Sequence, residues 1–71
     1  MAGWPYIDGV RPTKLTGQDM FDEIVKAGYD GTWDVYMNSV NGEYSALFDD
    51  WVFACRLNGK KVEFRSELPT S

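Results

Sequence analysis

The chain contains no histidine, only one cysteine, and no apolar run long enough to cross a membrane. Without histidine there is no Ser-His or Cys-His dyad, no imidazole acid or base, and no Cys/His zinc site. A lone Cys55 excludes an internal disulfide framework and fits a reducing compartment. A spanning helix needs about 18 or more consecutive apolar residues, and a signal peptide needs a basic and then apolar N-terminus. Neither pattern occurs, so the expected location is the cytoplasm. The glycines are scattered, with no GxGxxG and no Walker-type lysine, and no Asp-x-Asp-x-Asp-Gly run marks a calcium loop. No cofactor and no metal are expected.

Aromatic residues and acids are what the sequence has in quantity. At 71 residues the expectation is one small domain, and a chain of this size buries only about 60% of its unfolded surface. Its core must therefore be dense, and three Trp, four Tyr and four Phe supply large apolar areas for one. The net charge is -4, unevenly placed: eight of the eleven acids fall between residues 19 and 50, against Lys26 alone. Such a middle disfavours nucleic acid and anionic membranes and favours a partner protein with a basic surface. Self-association into a homo-oligomer is left open.

Periodicity predicts an α+β fold. Thr16 is a good N-cap, with Asp19 in the reciprocal position of a capping box and Leu15 and Met20 spaced as a hydrophobic staple. Met20, Phe21, Ile24 and Val25 form one stripe, and Gly28 supplies a C-cap, so a helix is expected over about 17–28. Residues 32–38 alternate, with Trp33, Val35 and Met37 on one side, which predicts a strand. Asn41-Gly42 and Asn58-Gly59 are strong type I′ hairpin signals. They predict further strands at about 43–48, 51–57 and 61–66, giving an antiparallel sheet of three or four strands under the helix. In the last hairpin Trp51, Phe53, Cys55, Val62 and Phe64 share the core face, leaving Arg56, Lys61 and Arg65 on the wet one. The alternative is a second helix over 43–55, because Tyr44, Leu47, Phe48, Trp51, Val52 and Cys55 also fall at helical spacing. On that reading Phe53 lies off the stripe and Gly59 is a C-cap. Residues 1–13 read as an arm or short edge strand around Trp4-Pro5-Tyr6-Ile7, followed by an Asp8-Gly9 turn, and 67–71 as a tail.

No catalytic set emerges, which points to a non-enzymatic binding protein. Asp19, Asp22, Glu23, Asp30, Asp34, Asp49 and Asp50 are the candidate acids for meeting a basic partner. Tyr29, Tyr36 and Tyr44 are the candidate aromatic anchors, since not all the rings are needed inside. In size and charge the chain is similar to the small cofactor-free inhibitors that phages direct at host enzymes and defence complexes, anti-CRISPR proteins among them. The likeness is one of composition, with no shared motif. It implies an inhibitor of a nucleic-acid-handling complex acting in the host cytoplasm. One alternative is a β-ribbon nucleic-acid-binding domain using Arg56, Lys60, Lys61 and Arg65. Another is a small structural or assembly subunit of a phage particle.

Overall fold

The structure, a computed structural model, describes residues 3–65. Five elements follow in order: β1 (Trp4–Ile7), α1 (Gly17–Lys26), α2 (Trp33–Ser39), α3 (Tyr44–Leu57) and β2 (Val62–Arg65). This is a small α+β fold in which three helices accompany one two-stranded antiparallel sheet. The expected single helix on a sheet of three or four strands is overturned. Ser66 and the expected tail lie outside the described residues.

α1 forms where its local signals agree. The Thr16 hydroxyl accepts from the Asp19 amide at 3.1 Å, and the Asp19 carboxylate accepts from the Thr16 amide at 3.4 Å. Two of the orphan donors at the helix start are thereby satisfied. Met20, Phe21 and Ile24 are buried, and Leu15 packs against the same core.

Residues 32–38, expected as a strand, instead hold most of α2. Thr32 caps it, its hydroxyl accepting from the Val35 amide at 3.3 Å. Trp33, Tyr36, Met37 and Val40 stand at i, i+3, i+4 and i+7, so the segment satisfies a helical period as well as an alternating one. The strands expected at 43–48 and 51–57 are likewise one continuous helix, α3, with Leu47, Trp51, Ala54 and Cys55 buried along it.

Both Asn-Gly pairs end helices rather than closing hairpins. After α3 the Gly59 amide bonds the Arg56 carbonyl at 3.0 Å and the Lys60 amide bonds the Cys55 carbonyl at 2.9 Å. This is a Schellman cap, with Gly59 at φ 86°. After α2 the Asn41 and Gly42 amides bond the Asn38 and Met37 carbonyls in the same pattern, both residues at positive φ. The two-residue hairpin turn sits elsewhere. Asp8 and Gly9 have φ 53° and 83°, and Ile7 and Val10 exchange both backbone bonds at 2.9 Å, as a type I′ turn requires.

β2 covers most of the expected strand at 61–66, but its partner is β1, with Ile7 opposite Val62 and Trp4 opposite Arg65. Pro5 is harmless there, because a strand with one neighbour needs only half its amides. Asp8 fixes the junction: its amide bonds the Lys61 carbonyl at 2.8 Å and its carboxylate accepts from the Lys61 amide at 2.9 Å.

The core is built from α1, α2, α3 and Val62. Leu47 and Cys55 are fully enclosed. Phe21 meets Tyr29, Trp33 and Tyr36 at centroid distances of 5.6–6.0 Å, mostly edge to face. Phe53, Phe64 and Val25, expected inside, are exposed instead.

Candidate functional site

α1 and α3 pack together, and the end of α2 closes against them, leaving a groove of about 390 Å³. Ile24 and Ala27 come from the last turn of α1 and its cap, and Tyr29 from the connector beyond. α2 supplies Tyr36 and Ser39, with its cap Val40. α3 supplies Asp50, Phe53, Ala54 and Leu57 at helical spacing along one edge. The floor is closed: Ile24, Tyr36 and Ala54 are buried. The rim is open and apolar, with Phe53 64% and Leu57 61% exposed.

Polar groups in the groove are few, and Ser39, Tyr36 and Asp50 are linked to one another. Ser39 Oγ donates to the Tyr36 carbonyl at 2.7 Å. The Tyr36 hydroxyl donates to Asp50 Oδ2. Burial, and then the adjacent Asp50 carboxylate, raise the Tyr36 phenol far above its usual range, so it remains a donor. Asp50 is the only ionisable acid or base besides the two tyrosines among the lining residues. The constellation can bind.

The candidate acids do not form one array. Asp19 is used in the α1 cap, and Asp22 accepts from Gln18 Nε2 at 2.9 Å. Glu23 is half-buried and structural: Oε1 receives Lys60 Nζ at 3.0 Å and Oε2 receives Asn58 Nδ2 at 2.8 Å. Burial raises the Glu23 carboxyl, but the bonds from Asn58 and Lys60 and the lysine charge outweigh it, so the net shift is downward. Asp30, Asp34 and Asp49 are exposed, Asp34 in the first turn of α2. Asp49 and Asp50, expected between two strands, are adjacent exposed residues of α3. Among the described residues no group of three or more Asp, Glu or Cys is placed to hold a metal ion, and no helix is long and apolar enough to cross a membrane.

The aromatic candidates separate similarly. Tyr36 is core as well as groove floor, Tyr29 is half-buried on the groove wall, and Tyr44 is exposed against the edge of Trp33. Trp4 and Tyr6 are occupied within the chain, stacked under Arg11 and Arg65 at 5.0 and 4.5 Å.

The four basic residues do not form the wet face of a hairpin. Arg56 lies on α3 and donates to the Val62 carbonyl at 3.2 Å, and Lys60 is held by Glu23. Lys61 and Arg65 flank Glu63 at 3.4 and 3.0 Å. Together they draw the exposed Glu63 carboxyl below its usual range, the Arg65 bond first.

Phe53 and Leu57, the exposed apolar residues of the groove, were not among the candidate site residues. The signal for Phe53 was present: an aromatic off the apolar stripe of a helix must face outward. Comparison with family models, curated proteins and solved structures gives no match.

Proposed function

We propose that the chain is a non-enzymatic acidic binding protein that acts by covering a surface of a partner protein. One observation carries the reading: Phe53 and Leu57 stand exposed on α3 at i, i+4, beside Asp49 and Asp50. Two large apolar side chains on consecutive turns are costly to leave in water, and burying each contributes about 1.5–3 kcal/mol. An apolar centre with charge at its margin has the anatomy of a protein interface. In its finer form the partner is a nucleic-acid-handling complex, whose phosphate-binding surface is basic and so complementary to a chain of net charge -4. The internal engagement of Arg56, Lys60, Lys61 and Arg65 supports this reading over the nucleic-acid-binding one.

The test is capture from source-cell lysate after nuclease treatment, followed by binding kinetics on the retained partner. Phe53→Ser is expected to abolish retention. Asp49→Lys, at an exposed carboxylate, is expected to lower k_on and flatten its salt dependence. Retention that depends on nucleic acid, or that survives Phe53→Ser unchanged, overturns the reading.

A further inference from the structure

Resting on that reading, we propose that the groove receives an amphipathic partner segment that places a Lys or Arg side chain against Asp50. Charge complementarity inside a shaped cavity carries the proposal. Two of the three groove hydroxyls have spent their protons within the chain, Ser39 on the Tyr36 carbonyl and Tyr36 on Asp50, and the third is that of Tyr29. Besides the Tyr29 hydroxyl, what the groove offers an incoming group is the acceptor capacity and charge of Asp50. A carboxylate accepts about four hydrogen bonds, and Tyr36 uses one of those sites. The groove therefore offers negative charge and lone pairs, and it selects a cationic donor.

The remaining walls fit the rest of such a side chain. Lys and Arg carry an aliphatic stem below a charged head, and the stem packs on apolar surface of the kind Val40, Ala54 and Leu57 provide. Tyr29 and Phe53 present rings within the same lining, and a cation over an aromatic face is attracted by its quadrupole. About 390 Å³ lies in the range of ligand pockets, roughly 300–1,000 Å³, and exceeds what a single ion or water needs. It accommodates the basic side chain together with an apolar neighbour one helical turn away. A wholly apolar segment covering the groove would leave the Asp50 charge with only the Tyr36 hydroxyl for a partner, so Asp50 also disfavours wrong occupants.

The probe is a 15-residue alanine-based helical peptide with Leu, Arg and Leu at i, i+3 and i+4. It is compared with peptides carrying citrulline or Glu in place of Arg. Each is titrated into the ¹⁵N-labelled full chain and followed by NMR and calorimetry. The Arg peptide is expected to shift the amides of Val40, Asp50, Phe53 and Leu57. It should bind about tenfold more tightly than the citrulline peptide, as expected of one charged hydrogen-bonded contact. Asp50→Asn keeps an acceptor for the Tyr36 hydroxyl and is expected to erase that preference with near-UV circular dichroism unchanged. Absence of groove shifts with the Arg peptide, equal affinity for Arg and citrulline, or a preference that survives Asp50→Asn overturns the proposal. The covering-protein reading fails separately, through partner retention by Phe53→Ser.

Discussion

Glu23 is a structural acid. Its side chain receives Asn58 and Lys60, and its backbone carbonyl receives the same Asn58 amide at 3.1 Å, so one residue of α1 holds the cap of α3. Because its carboxyl is depressed in the fold, the stability it adds is present above its unfolded value of 4.5 and is lost as pH falls through the folded value. Glu23→Gln should cost about 1 kcal/mol at pH 7 and nothing once both states are protonated, measured by urea unfolding across pH. Cys55 gives a second readout. Burial pushes its thiol up to about 11, so a disulfide reagent at pH 8 should label it only as fast as the chain opens. Its burial was legible even though its element was not. Residues 51 and 55 share a face in a strand and in a helix alike, so Trp51 and Cys55 are inside on either period. Residues two apart share a face only in a strand, and for that reason Phe53 moved from the expected core to the surface.

At the scale of elements, the Asn-Gly pairs carry the lesson. A type I′ turn and a Schellman cap both require positive φ, so the dipeptide specifies a backbone conformation without saying what precedes it. Only the stripe before Asn58 decides, and it fits both periods: the alternative of a helix over 43–55 with Gly59 as its C-cap is the one the structure holds. α1 was legible because cap, staple, stripe and C-cap all agreed, whereas α2 was not, its seven residues satisfying two periods at once. The groove was invisible for the same reason, since it needs α2 and α3 to exist. Gly59 tests the cap directly. A Cβ there meets nothing within 4 Å, so Gly59→Ala measures backbone strain alone and should cost about 1–2 kcal/mol in thermal unfolding.

For the molecule as a whole, the proposed binding face and the core face are opposite sides of one helix, α3. Phe53→Ser on the outer face should leave the unfolding free energy, measured by denaturant titration, within about 0.5 kcal/mol of the parent while removing partner binding. Leu47→Ala on the inner face should cost about 2–5 kcal/mol, a large share of the 5–15 kcal/mol typical of a small domain. A midpoint lowered equally by both would place Phe53 in the core after all. The pairing of β1 with β2 has a consequence for how this architecture is reached. Its two strands come from near opposite ends of the described chain, so the sheet closes a loop containing every helix. The entropy of that closure is met only after α1 and α3 have drawn the strands together, which makes the sheet a late event in folding. Val62→Ala should accordingly speed unfolding and leave the folding rate nearly unchanged, whereas Ile24→Val should slow folding.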